Sequence, residues 1–312
     1  MDGTIIDIKR FTIHDGPGIR STLFLKGCGL RCAWCQNPEG LKTEVDLWYI
    51  ETQCIHCGAC VASCPNDALS IDEENRPFIR INRQRCTKCG TCVAACPTTA
   101  LSFDGRTTSA EESAETLLRD TEFYQESGGG ITISGGDPLI QHDFALEILS
   151  ICKMKGIHTA IETSLFGEWE ILKRFLSITD LFIVDLKLSD NTAHVEYTHQ
   201  SNQVIKRNYS TLAHLGIPLL TRIPLIPGIT DTESNITAIA EFMKSENPGG
   251  QIELINFNPL AINKYALMNK STEFFDAMVP LPPVKIEALQ NVLEKHGLSV
   301  VREHKRSNAG GN

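Results

Sequence analysis

No stretch of the chain stays apolar for the roughly 18 residues that a membrane-spanning helix needs. The first residues, MDGTIIDIKRF, carry charges where a signal peptide would have its apolar core. Neither membrane insertion nor secretion is expected, and the reading places the protein in the cytoplasm. An excess of basic charge is also lacking: 29 Lys and Arg stand against 38 Asp and Glu, a net charge of −9. That balance gives no electrostatic case for nucleic acid as a partner. What is present is ordinary globular composition, 312 residues with 42% hydrophobic and 21% charged. It suffices for one large domain, or for one domain with an insert.

A disulfide-like spread of cysteine is missing too. Eleven of the twelve cysteines fall in three tight, metal-type groups. Only Cys152 stands alone, in ALEILSICKMKG, and it reads as a buried helix cysteine. So many metal-type thiols suit a reducing cytoplasm, that of an anaerobe. The first group, Cys28-x3-Cys32-x2-Cys35, has no fourth Cys or His close by, so it cannot complete a tetrahedral zinc site. Three thiolates suit a 4Fe–4S cubane with one iron left open, and an open iron can bind a substrate. The other groups are complete runs. Cys54-x2-Cys57-x2-Cys60-x3-Cys64-Pro65 is echoed by Cys86-x2-Cys89-x2-Cys92-x3-Cys96-Pro97, and CPNDALSID by CPTTALSFD. The spacing is that of bacterial two-cluster ferredoxins, in which the fourth cysteine of each run serves the other cluster. On that resemblance Cys54, Cys57, Cys60 and Cys96 hold one cluster, and Cys86, Cys89, Cys92 and Cys64 the second. With no open iron, these two would relay electrons.

Outside the insert, strand and helix patterns alternate. Strands are expected over 4–13, 21–26, 131–134, 158–161, 181–184, 217–225, 252–257 and 298–302. Helices are expected over 109–126, 143–155, 168–177, 202–215, 232–245 and 283–296. Six βα repeats imply a parallel sheet, with Cys28, Asp137, Glu162, Asp185, Lys187, Arg222 and Asn258 gathered at the strand ends on one face. Six units are fewer than the eight of a full barrel, so the α/β fold expected is an open, partial (β/α)6 barrel. Its parts are residues 1–45 and 105–305, a ferredoxin-like insert over 46–104, and a disordered tail at 306–312.

The C-x3-C-x2-C loop resembles that of the radical S-adenosylmethionine (SAM) enzymes. HDGPGIR (14–20), QNPE (36–39), SGGDP (134–138), DLK (185–187) and RIPLIPG (222–228) narrow the resemblance. It is to the glycyl radical enzyme activating enzymes, specifically the insert-bearing relatives of pyruvate formate-lyase activating enzyme. The resemblance implies that Cys28, Cys32 and Cys35 hold the catalytic cluster and that SAM binds its open iron. It sets Trp34 and Gln36 beside the adenine and Gly135, Gly136 and Asp137 along the methionine amino group. Asp185, Leu186 and Lys187 come near the ribose and carboxylate, with Lys187 counted among the catalytic residues. Arg222 helps hold the carboxylate, and Glu162 lies near the ribose or a bound monovalent cation. Two positions depart from the family. Asp137 stands where the family has Glu in GGEP, and Asn258 where it has a His near the ribose.

The activity implied is reductive cleavage of SAM to a 5′-deoxyadenosyl radical, which takes hydrogen from a glycine of a partner glycyl radical enzyme. Flavodoxin or ferredoxin would supply the electron to a monomeric protein. The substrate expected is a glycine-containing loop docked near Asp15, since an open barrel leaves a lateral gap. Two other readings are direct action on a small molecule, which HDGPGIR and QNPE oppose, and a bare electron carrier, which leaves the three-cysteine loop unexplained.

Overall fold

The structure, a computed structural model, describes residues 1–268, 270–276 and 278–302; the tail at 306–312 lies outside the described residues. In chain order the strands are β1 (Asp2–Thr12), β2 (Arg20–Leu25), β3 (Leu47–Tyr49), β4 (Leu69–Ile71), β5 (Ile79–Ile81), β6 (Leu101–Phe103) and β7 (Arg106–Ser109). They continue with β8 (Gly130–Gly135), β9 (His158–Thr163), β10 (Leu181–Asp185), β11 (Leu219–Leu225), β12 (Gln251–Asn256) and β13 (Ser299–Val300). Nine form one sheet in the order β13-β12-β11-β10-β9-β8-β2-β1-β7. Every neighbouring pair from β2 to β13 is parallel. β1 and β7 add antiparallel at the β2 edge.

The parallel run follows from its crossovers. Helices such as His142–Met154, Gln203–His214 and Glu233–Glu246 lie between successive strands and return the chain to the next place in the sheet. Strands covered on both faces need apolar residues throughout, and β8 is buried from Gly130 to Ser134. Leu23, Leu25, Ile133, Ile161 and Val184 lie fully buried in the main core. Each such side chain contributes about 1.5–3 kcal/mol over its exposed state.

The single helix expected over 109–126 is two, Ala110–Leu118 and Thr121–Ser127. Between them Asp120 is buried, accepting hydrogen bonds from Arg10 Nε (2.8 Å) and Ser21 Oγ (2.8 Å). The Arg10 hydrogen bond, opposed by burial and helped by Ser21, holds the Asp120 carboxyl below the usual range. Its stabilisation is therefore full above the unfolded pKa of about 3.9 and is lost as pH falls through the lower folded value. Arg10→Met should lower stability at pH 7 and flatten the acid limb of a urea-denaturation series below about pH 4. An acid limb identical to wild type would discount the pair.

From Leu47 to Phe103 the chain leaves the sheet as a satellite with its own core, including Leu47, Tyr49, Leu69, Ile79 and Leu101. β3 pairs with β6 and β4 with β5, both antiparallel. Short helices Ala59–Ala62 and Thr91–Ala94 carry the buried Cys60 and Cys92. The two ends of the satellite meet: Asp104 N donates to Asp46 O (3.0 Å) and Asp46 N to Asp104 Oδ1 (2.7 Å). Asp104 Oδ2 lies 3.0 Å from Lys26 Nζ, with side chains 2% and 0% exposed, and Lys26 also donates to Glu39 O at 2.5 Å. A dry ion pair of this kind needs added hydrogen bonds to offset its desolvation, and here both partners have them.

Candidate active site

Ligands of open parallel sheets sit beyond the carboxyl ends of the strands. Here a cavity of about 350 Å³ opens there. The loop after β2 brings Cys28, Cys32, Trp34, Cys35 and Gln36. Ser134, Gly135 and Gly136 come from the end of β8, Glu162, Thr163 and Ser164 from the end of β9, Asp185 and Lys187 from β10, Arg222 from β11 and Ile255 from β12. His14 and Asp15, from the β1–β2 connection, form part of the wall. Asp15 is pinned by Thr22 Oγ1, which donates to its carboxylate, and Thr132 Oγ1, which donates to its carbonyl, both at 2.7 Å.

Gly135 and Gly136 are dictated by space. Gly135 has φ +106°, and a Cβ there would lie 2.2 Å from Leu25 N; one at Gly136 would lie 2.0 Å from Gly27 O. The cluster loop is fixed from its far side. Glu39 of QNPE is buried, and Lys264 Nζ reaches Glu39 Oε1 (2.6 Å), Asn37 Oδ1 (2.9 Å) and Gln36 O (3.1 Å). Trp34 packs in a separate small core with Leu188, Ile226, Phe257, Tyr265 and Phe275, and still lines the cavity.

The three thiols share one wall with no fourth Cys and with His14 as the sole His in the lining, and Leu30 N points at Cys28 Sγ (3.4 Å). Burial pushes the Cys28 and Cys32 thiols up and takes Cys35 to about 12. Metal binding would therefore release protons here. Three thiols suit a cubane, whose thiolates attach to different irons, while a structural zinc site would want four protein ligands. The residues present fit a cluster with one iron free of protein.

Lys187 Nζ lies 2.6 Å from Asp185 Oδ2. Burial alone would lower its pKa; Asp185 and the Cys32 and Cys28 sulfurs reverse that and hold the ammonium above its ordinary value. Arg222 gives Nη1 to Glu162 (2.5 Å), Nε to Glu253 (2.9 Å) and Nη2 to His14 O. Each of its nitrogens thus has a protein partner. Burial raises the Glu162 pKa, and Arg222 and Ser134 Oγ (2.6 Å) outweigh this, so the carboxylate is held below the usual range. Glu253 was not among the expected residues. Its signal is an acid inside the apolar strand IELINF, in register with Arg222.

Three expected contacts lie off the cavity wall. Asp137 is buried, and its carboxylate accepts from Ser164 Oγ (2.6 Å), Thr163 Oγ1 (2.9 Å), Ser164 N (3.0 Å) and Leu139 N (3.1 Å). It holds the turn after β9 and is not among the residues that line the cavity. The shorter Asp fits that buried slot. Leu186 packs into the main core. Asn258 is exposed and accepts from Leu260 N (2.9 Å), capping a short 3-10 turn. In the insert, one cavity is framed by Cys64, Cys86, Cys89 and Cys92, and another by Cys54, Cys57, Cys60 and Cys96.

The family model for the Radical SAM superfamily matches residues 22–238. The chain is 39% identical over 301 residues to the benzylsuccinate synthase activating enzyme of Thauera aromatica, covering 95% of this chain and 91% of that one. Identity is 39% over 272 residues, 85% of each, with the (2S)-3-sulfopropanediol dehydratase activating enzyme of Klebsiella oxytoca. It is 37% over 297 residues, 94% of this chain and 97% of the other, with the trans-4-hydroxy-L-proline dehydratase activating enzyme of Clostridioides difficile. Likeness of this breadth, together with a three-thiol wall at the carboxyl ends of a parallel sheet, means that the chain belongs to the radical SAM superfamily, among the glycyl radical enzyme activating enzymes.

Proposed function

We propose that this protein cleaves SAM with one electron, giving methionine and a 5′-deoxyadenosyl radical that takes hydrogen from the Cα of a glycine in a partner glycyl radical enzyme. The products are 5′-deoxyadenosine and a glycyl radical. One observation carries the reading: three thiols share a cavity with Lys187, Asp185, Glu162 and Arg222, and no fourth thiol completes the set. Cys28, Cys32 and Cys35 would hold a 4Fe–4S cluster, which when bound supplies an open iron for the amino and carboxylate groups of SAM and the electron.

The chain's own residues bind and orient. Lys187 is a buried cation facing the thiols, placed to meet the anionic carboxylate of SAM. Glu162 and Asp185 offer carboxylate oxygens to ribose hydroxyls, and Glu162 could instead hold a monovalent cation. Trp34 gives the adenine an apolar wall, with Gln36 beside it, and Gly136 lets backbone approach where a side chain could not. Arg222 fixes the wall itself, tying β9, β11 and β12 to His14.

The surrounding architecture is read as a partial (β/α)6 barrel, residues 1–45 and 105–305, carrying a ferredoxin-like insert over 46–104. That insert would bring the total to three clusters, and its two four-cysteine cavities support the crossed assignment of Cys64 and Cys96. A flavodoxin or ferredoxin reductant, a monomer and a cytoplasmic setting complete the proposal. The test is anaerobic incubation of reduced protein and SAM with the glycyl radical enzyme encoded beside it. A glycyl radical doublet should appear in the EPR spectrum, and a Gly→Ala change in the partner should abolish it. Cleavage of SAM with no radical on any glycyl radical enzyme of the organism would leave a small-molecule substrate in its place.

A further inference from the structure

This inference rests on the cluster reading above and concerns the order of the two insert sites. We propose that electrons enter at the site of Cys54, Cys57, Cys60 and Cys96, from a small one-electron carrier protein seated on Ile55 and Ile71. They then pass inward to Cys28 by way of the site of Cys64, Cys86, Cys89 and Cys92.

The two halves of the insert are sequence twins, Cys54 matching Cys86, β4 matching β6, and Asp72 matching Asp104. The fold uses the twins differently. Asp104 is buried on Lys26, two residues before Cys28, whereas Asp72 pairs with Arg80 (3.1 Å) on the outside. Phe103 adjoins Asp104, and its ladder partner Leu47 adjoins Asp46; both line the cavity of Cys64, Cys86, Cys89 and Cys92. The other cavity is lined by Tyr49 and Leu101, two residues farther along the same ladder. At a strand rise of about 3.3 Å per residue that sets it about 7 Å farther from the anchored end. One site is therefore inner and the other outer.

The surface agrees. Ile55 is 61% exposed and Ile71 42% exposed, Ile71 lying against Gly58; Cys57 and its twin Cys89 are exposed alike, so the difference between the sites lies in the isoleucines. The twins of Ile55 and Ile71 are Thr87, polar, and Phe103, half-buried against the satellite core. Bare isoleucines around the outer site, with no counterpart at the inner one, suit the small, transient, apolar-centred contact of an electron-transfer encounter. The carrier gives up one electron at its own centre; as the S–C5′ bond of SAM breaks, that electron and the bond pair become a lone pair on the methionine sulfur and one unpaired electron on C5′.

The experiment reads magnetic coupling in the reduced holoenzyme. The SAM-responsive EPR signal should relax faster because a second paramagnetic centre lies near it. Cys89→Ala should abolish that enhancement, and Cys57→Ala should keep it, each variant having lost about a third of its iron. The opposite pattern reverses the order and overturns the proposal. Wild-type protein holding only about four irons per chain would instead remove the two insert clusters, and the proposal with them. A second readout needs no cysteine change: hydroxyl-radical footprinting of the intact protein with oxidised flavodoxin, and separately with ferredoxin. Protection of Ile55 and Ile71 by either carrier supports outer entry. Protection at 87–90 instead, or at neither place by either carrier, overturns it.

Discussion

Replacing Cys28, Cys32 and Cys35 together with alanine should abolish SAM cleavage and remove about a third of the iron, leaving the insert's share in place. The loss should be complete because these thiols are the only cysteines lining the cavity that holds Lys187, Glu162 and Arg222. The fold should survive, since the loop is also held by Lys264 on Glu39 and by backbone bonds from Arg31 N to Thr198 O and Ala33 N to Tyr197 O (both 2.9 Å). Anaerobic iron and sulfide analysis, with chromatographic assay of 5′-deoxyadenosine, gives both numbers. Residual SAM cleavage in the triple variant would mean that the active cluster lies elsewhere.

The second large effect should come from Arg222→Met. This removes the cation that Glu162 and Glu253 both hold. Removing one partner of a buried pair typically costs about 3–5 kcal/mol, because the remaining charge stays desolvated. The deficit should depend on pH. Without Arg222, burial, the largest influence on Glu162, is opposed only by Ser134 and Lys187, and the folded pKa should rise above the unfolded value of about 4.3. A carboxyl shifted in that direction favours folding at low pH and opposes it as pH rises through the folded value. The variant should therefore be least stable relative to wild type near pH 7 and recover part of the loss toward pH 5. Urea denaturation at both values measures this, and Arg222→Met with Glu253→Gln should restore part of the stability. A deficit that does not change with pH would show that the lost stability is packing and not charge.

The parallel order of the sheet was legible because each strand ends in a turn and is followed by a helical repeat, and such repeats leave few topologies. The wall was legible where the residue belongs to a strand end: Cys28, Glu162, Asp185, Lys187 and Arg222 meet as expected. Asp137 follows the same rule of position and departs from it in direction, since backbone and hydroxyl donors at 163–164 claim both of its oxygens. Pairings between distant segments were not legible. Lys264 on Glu39, Lys26 on Asp104 and Asp120 on Arg10 join partners far apart in sequence, and no local pattern marks them. β7 is four residues long and exists because β1 offers it an edge. Helix Asn191–Thr198 did leave a local trace, the N-cap Asp190, whose side chain accepts from Ala193 N (2.8 Å).

The close meeting of Asp46 and Asp104 bears on how such a chain can be gained, lost or exchanged over time. A segment that leaves and re-enters a host at backbones one hydrogen bond apart can be removed and the ends rejoined without stretching the host, as domain insertions at exposed turns show. The graft is nearly traceless in geometry but not in charge. Excision takes Asp104 away and leaves Lys26, fully buried, without its carboxylate, keeping the carbonyl of Glu39. A chain without the module would need either a neutral residue at position 26 or another carboxylate beside it, since a buried ammonium is costly without a counter-charge.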